Sequence, residues 1–125
     1  TSDSFYGKVA IINFWASWCP PCKAEMPALQ QIFKEFSNEQ VILVSINTTY
    51  QDSVTNALDF AVEYNLSFPI LFDKDGTVSR QYQVKSMPTT FFVREDGIID
   101  EVIVGGPLSE AFLKSKIQQL LLGNP

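Results

Sequence analysis

The chain contains no histidine among its 125 residues. That absence removes Ser-His and Cys-His nucleophile pairs, imidazole metal ligands and the imidazole proton shuttle. Cysteine is almost as scarce, with Cys19 and Cys22 the only two. A tetrahedral zinc site wants four nitrogen or sulfur ligands, which Cys and His together do not supply here, so no metal is expected. A disulfide-dependent mini-protein is excluded for the same reason. Basic residues number nine against fourteen acidic ones, a net charge of −5, and they form no cluster. Phosphate binding needs clustered cations that release counterions, so nucleic acid is not an expected partner. No apolar run approaches the about 20 residues of a membrane span. Nor does a basic stretch followed by an apolar one open the chain, as it would in a signal peptide.

What is present is enough for a real core. The composition is 46% hydrophobic with ten Phe, which argues for one folded domain over residues 1–125 and against a disordered chain. Val9 to Phe14 is an apolar run interrupted only by Asn13, the pattern of a central strand covered on both faces. A helix is expected from Pro20 or Pro21, since proline suits a first helical turn. Its apolar stripe is Met26, Leu29, Ile32, Phe33 and Phe36, with Pro27 inside it as a kink. Val41 to Ile46 reads as a second buried strand. Ser53 caps a helix to about Tyr64, with Val54, Leu58, Ala61 and Val62 on its inner face.

Ile70 to Phe72 reads as a short strand after Pro69, and Asp75-Gly76 as a turn. Asp96-Gly97 joins strands Thr89–Val93 and Ile98–Val104 into a hairpin, whose Glu95, Asp96, Asp100 and Glu101 read as a solvated surface. Gly105-Gly106-Pro107 breaks the chain before a last helix with Leu113, Ile117, Leu120 and Leu121 facing inward. The order β-α-β-α-β-(short helix)-β-β-α predicts an α/β fold, a mixed sheet with helices on both faces.

Trp18-Cys19-Pro20-Pro21-Cys22 lies where the first strand passes to the first helix. Thiol–disulfide exchange needs an accessible thiolate and a second thiol near enough to displace the bound partner. Cys19 is expected at the exposed helix start, where unpaired N–H groups and the dipole favour a thiolate. Cys22, one turn along, is within bridging distance and more buried. The alternative is an inert structural disulfide, but a bridge closing so short a loop constrains the unfolded chain very little. Trp15 reads as core and Trp18 as a surface-shaping residue. Asn13 reads as a satisfied buried amide, which accepts no proton at neutral pH. Lys23 reads as a solvated charge. Glu25 is either a solvated first-turn acid or, three residues after Cys22 on the same face, a group that serves it.

Phe14-Trp15-Ala16-Ser17-Trp18-Cys19-Pro20-Pro21-Cys22-Lys23 resembles the active-site segment of the thioredoxin superfamily. Asn13, Glu25-Met26-Pro27 and Met87-Pro88-Thr89 resemble its extracytoplasmic branch, the ResA-like and TlpA-like thiol–disulfide oxidoreductases, including those of cytochrome c maturation. The resemblance covers nearly the whole chain. It implies a thioredoxin fold with a helix–strand insertion at about residues 48–73, and a cofactor-free protein oxidoreductase in which Cys19 attacks and Cys22 resolves.

Glu25 is implied to be functional, and Pro88 to be cis beside the cysteines. Trp18, Pro20, Pro21, Met87 and Pro88 would form the substrate surface, with Met87 offering backbone groups to an extended chain. The implied partners are protein disulfides, apocytochrome c among them, and a membrane thiol carrier as electron donor. The chain would act as a monomer outside the cytoplasm, in the periplasm or at the outer face of a bacterial membrane.

Two departures stand out. Asn13 occupies the position of the buried Asp of thioredoxins proper, and Thr1 to Lys8 resembles only the lead-in to the central strand, without the branch's N-terminal hairpin. A trimmed or processed chain, with an anchor or signal upstream, is therefore expected. The alternatives are a general thioredoxin, disfavoured by Asn13 and the insertion, and a non-catalytic thioredoxin-like binding module that keeps the bridge for shape.

Overall fold

A computed structural model describes residues 7–37 and 40–123. The elements follow the expected order: β1 (Val9–Trp15), α1 (Pro20–Glu35), β2 (Val41–Asn47), α2 (Val54–Glu63), β3 (Ile70–Phe72), α3 (Thr77–Gln81), β4 (Thr89–Val93), β5 (Ile99–Val104) and α4 (Glu110–Leu121). A 3-10 turn at Thr49–Gln51 separates β2 from α2. The expected lead-in over Thr1 to Lys8 lies mostly outside the described residues.

The strands form one sheet in the order β3-β2-β1-β4-β5. β1 runs parallel to β2 and antiparallel to β4, so both its edges are paired. Every residue of β1 is buried. Strand side chains alternate between faces, and here the alternation divides the core in two. Val9, Ile11 and Trp15 join Cys22, Met26, Leu29, Phe60, Leu113 and Ile117 on one face. Ala10, Ile12 and Phe14 pack with Ile46, Val84, Phe91 and Val93 on the other. Asn13 shares the parity of Ile11 and Trp15, which directs its amide toward α1.

Three expectations are corrected. The inner face of α2 carries Ala57 and Phe60, whereas Leu58 and Val62 are exposed. The Phe60 ring lies 5.1 Å from Trp15 and stacks on Tyr64 at 4.4 Å. Aromatic side chains bury more area than aliphatic ones, so the aromatic face takes the core side. In the hairpin, Ile98 belongs to the turn, its N–H bonding Asp96 Oδ1, and β5 begins at Ile99. The hairpin acids are not all solvated: Lys116 Nζ reaches Asp100 Oδ2 at 2.5 Å and Glu101 Oε1 at 2.9 Å. The Asp100 and Lys116 side chains are each only 9% exposed. Lys116 lies beside Ile117 on the inner side of α4, and its alkyl stem supplies the packing while the ammonium finds the acids.

Candidate active site

β1 ends at Trp15 and α1 starts at Pro20, leaving Ala16 to Cys19 as the connection. Cys19 is the N-cap of α1, in extended conformation, and its Sγ accepts the Cys22 N–H at 3.3 Å. Pro20 and Pro21 fill the first two helical positions, where a missing N–H costs nothing and the fixed φ suits the helix. Cys19 and Cys22 are disulfide-bonded, with Cα atoms 5.2 Å apart. The expected exposure of Cys19 is corrected, because it is 2% exposed and Cys22 is wholly buried. In the disulfide Cys19 packs within the core cluster that holds Cys22 and Met26. Its neighbours Trp18, 55% exposed, and Pro20 face solvent instead.

Glu25 follows Cys22 by three residues and is fully buried. It is therefore not a solvated first-turn acid. Asn13 Nδ2 donates to its Oε2 at 2.8 Å, and the backbone N–H of Leu108 donates to its Oε1 at 3.1 Å. Burial raises the Glu25 pKa above the ordinary carboxylate range, while the bonds from Leu108 and Asn13 pull it down. Two donors thus favour the charged form of a group whose surroundings oppose charge.

Asn13 also donates to Thr90 Oγ1 at 3.0 Å. Its Oδ1 has no partner, so Asn13 is satisfied only as a donor, which corrects the expected fully paired amide.

Met87–Pro88 is cis, and so is Gly106–Pro107. The Pro88 carbonyl accepts the Gly105 N–H at 2.7 Å, tying the start of β4 to the segment after β5. A Cβ on Gly106 would stand 2.6 Å from Glu25 Oε1 and 3.1 Å from Pro88 Cγ. The segment after β5 therefore closes over Glu25, with Gly106 allowing the approach and Leu108 supplying the donor. Met87 is half-buried and packs on both core clusters. Pro21 is half-buried and Lys23 exposed, as expected.

Several residues of this site carry no signal in the sequence. Gly105-Gly106-Pro107 reads only as a chain break, yet it roofs Glu25. Asp52 carries no motif signal, yet its carboxylate accepts the Ser17 N–H at 2.7 Å and the Ser17 hydroxyl at 2.8 Å. Asn47 Nδ2 donates to the same carboxylate at 3.0 Å. Burial opposes ionisation of Asp52, but the bonds from Asn47, Ser17 and the Ser53 backbone outweigh it and lower its pKa.

Chemically, the arrangement is a bridged dithiol at a helix N-terminus with a buried carboxylate beneath it. The Cys22 N–H aimed at Cys19 Sγ and the dipole at that terminus favour a thiolate once the bridge opens.

Known proteins share both the sequence and the shape. The AhpC/TSA family model matches residues 1–102. The chain is 40% identical over 99 residues to the thiol-disulfide oxidoreductase ResA of Oceanobacillus iheyensis, covering 79% of this chain and 50% of that protein. It is likewise 40% identical over 99 residues to the thioredoxin-like protein YneN of Bacillus subtilis, covering 79% of this chain and 58% of that one. The chain thus spans about half the length of the curated relatives it matches. Among solved structures, a secreted Mycobacterium tuberculosis disulfide oxidoreductase homologous to E. coli DsbE superposes with a TM-score of 0.83. It is 33% identical, and the match covers 94% of this chain and 86% of that one.

Proposed function

Because the chain belongs to the AhpC/TSA family of thioredoxin-like proteins, we propose that it is a thiol–disulfide oxidoreductase that reduces disulfides of protein substrates outside the cytoplasm. The observation that carries this reading is the Cys19–Cys22 bridge at the N-terminus of α1, with Glu25 buried one turn beyond it.

In the reduced protein the Cys19 thiolate attacks one sulfur of a substrate disulfide. The substrate S–S bond breaks, a mixed disulfide forms at Cys19, and the first substrate sulfur leaves as a thiolate. Cys22 then gives up its proton and attacks Cys19 Sγ. The second substrate sulfur leaves, the substrate is reduced by two electrons, and the Cys19–Cys22 bridge is restored.

Cys22 is buried, which raises a thiol's pKa and opposes this second step. Glu25 is the base we assign to its proton, since burial raises its pKa from the ordinary carboxylate value toward the range where a general base is more effective. Trp18, Pro20, Pro21 and Met87 form the substrate surface, Met87 offering its N–H and C=O to an extended chain, whereas Pro88, expected there as well, is buried. Residues 48–73 are the insertion on the thioredoxin core.

Electrons return to the bridge from a membrane thiol carrier, and apocytochrome c is one substrate of suitable kind. The Mycobacterium neighbour is a secreted protein, which supports an extracytoplasmic site of action. The potential should lie nearer the thioredoxin value of about −270 mV than the value of about −120 mV of a strong oxidant.

The test is insulin reduction with dithiothreitol, together with two single variants. Cys22→Ser should accumulate mixed disulfides on non-reducing gels and Cys19→Ser should not. Equal trapping by both, or no acceleration of insulin turbidity by the wild type, overturns the reading.

A further inference from the structure

We propose that Asp52 is a positioning residue for the thiol chemistry: its carboxylate holds Ser17 and thereby sets where Cys19 stands relative to Cys22. The proposal rests on reading that pair as a working dithiol.

Cys19 is tied to α1 through its carbonyl, which accepts the Lys23 N–H at 3.0 Å, but its own link to the preceding loop is weaker. Pro20 and Pro21 bring no N–H to the start of α1. The Cys19 N–H reaches the Ala16 carbonyl at 3.3 Å, a long bond, whereas the 3.3 Å from the Cys22 N–H to Cys19 Sγ is ordinary for sulfur. The stretch before Cys19 is held more tightly from outside. Ser17 gives the Asp52 carboxylate two bonds of 2.7 and 2.8 Å, short and charge-assisted, the stronger class of hydrogen bond. Trp18 Nε1 donates to the neighbouring Gln51 carbonyl at 2.8 Å. Two successive residues ahead of Cys19 are thus pinned by two successive residues of the turn after β2.

That turn does not depend on Ser17 for its own shape. The Thr48 N–H bonds the Trp15 carbonyl at 2.9 Å and the Tyr50 N–H bonds the Asp73 carbonyl at 3.2 Å. The Asp52 N–H bonds the Thr49 carbonyl at 3.0 Å, and Ser53 caps α2. The turn is anchored independently, so the Ser17 contacts orient the active-site loop rather than hold the turn.

The clamp matters most when the bridge is open. In the disulfide the S–S bond itself fixes the two cysteines. In the reduced protein and in a mixed disulfide, the helical backbone and noncovalent bonds hold Cys19 against Cys22 without the bridge, and together they set the effective concentration of the resolving thiol. Loosening the clamp should slow resolution and weaken bridge formation by the same cause.

The experiment equilibrates wild type, Asp52→Ala, Asp52→Asn and Ser17→Ala with glutathione, and follows the lifetime of a Cys19 mixed disulfide in quenched single turnovers. Thermal unfolding of each oxidised protein is measured alongside. Asp52→Ala should weaken bridge formation about tenfold, a rise in potential of about 30 mV, and lengthen the mixed-disulfide lifetime about tenfold. Asp52→Asn keeps an acceptor for the Ser17 N–H and should recover part of both effects. Ser17→Ala loses one of the two bonds and should show a smaller effect, about threefold. Should Asp52→Ala not fold, Asp52→Asn and Ser17→Ala decide the matter.

Potentials and lifetimes within twofold of wild type in the folded variants overturn the proposal, even if the melting temperature falls, because a merely structural Asp52 would move only the latter. Failure of the wild type to reduce insulin overturns the proposed function instead. The bridge's equilibrium with glutathione still measures the clamp in that case.

Discussion

Replacing Glu25 by Gln separates the charge of the buried carboxylate from its shape. Glu25 is fully buried, and two donors face it, Asn13 Nδ2 at 2.8 Å and the Leu108 N–H at 3.1 Å. In Glu25→Gln the amide oxygen keeps the Leu108 bond. The new NH2 then faces Asn13 Nδ2, donor against donor, a mismatch of about 1–3 kcal/mol. A half-turn of the Asn13 amide removes it. The unpartnered Asn13 Oδ1 moves to where Nδ2 stood and accepts from the new amide, while the Thr90 hydroxyl rotates to donate. One unpaired polar atom remains, as before, so the variant should lie within about 1–2 kcal/mol of wild type at acid pH.

The pH dependence is the sharper readout. Burial raises the folded-state pKa of Glu25, so between the unfolded and folded values the folded protein binds more protons than the unfolded chain. Stability therefore falls as pH rises through that window. Each tenfold preference for the protonated folded form costs about 1.4 kcal/mol above it. Glu25→Gln has no such loss, so its stability relative to wild type should rise from acid to neutral pH. Urea unfolding of the oxidised proteins from about pH 4 to about pH 8 measures the difference. A constant difference across that range, or one that moves the opposite way, refutes the reasoning.

Gly106→Ala places a methyl 2.6 Å from Glu25 Oε1 and should cost about 1–3 kcal/mol by overpacking; the same urea series should show the Glu25 window moved upward as the Leu108 bond is disturbed. Lys116→Met leaves the nearly buried Asp100 carboxylate without its cation. It should cost about 2–3 kcal/mol in denaturant unfolding, and Asp100→Leu added to it should recover most of that. On α2, Phe60→Ala should cost about 3–5 kcal/mol, because the ring lies 5.1 Å from Trp15. Val62→Lys, at a position 78% exposed, should stay within about 0.5 kcal/mol; thermal melts of the pair distinguish the observed face of α2 from the one its aliphatic spacing suggests.

The amino-acid sequence by itself determined the element order, the central position of β1 and the place of the dithiol. These rest on local signals: an apolar run, a proline pair at a helix start, Ser53 as a cap, Asp96-Gly97 as a turn, and two cysteines at fixed spacing. Ser53 and the prolines act within one helical turn, so short-range chemistry suffices to read them. The side of α2 that faces inward was not readable that way. Leu58 and Val62 compete with Ala57 and Phe60 on spacing alone, and only the Trp15 ring in β1 decides between the two faces.

Asp100 carries the same lesson, since an acid in a hairpin reads as solvated until Lys116, 16 residues later, is folded against it. Glu25 does so most fully. Its donors come from Asn13 in β1 and from Leu108, 83 residues along the chain, and the room for its carboxylate comes from Gly106. Spacing from Cys22 brings Glu25 onto the right helix face. Whether that face meets water or a sealed polar pocket depends on which distant backbone closes over it, and local sequence holds no record of that.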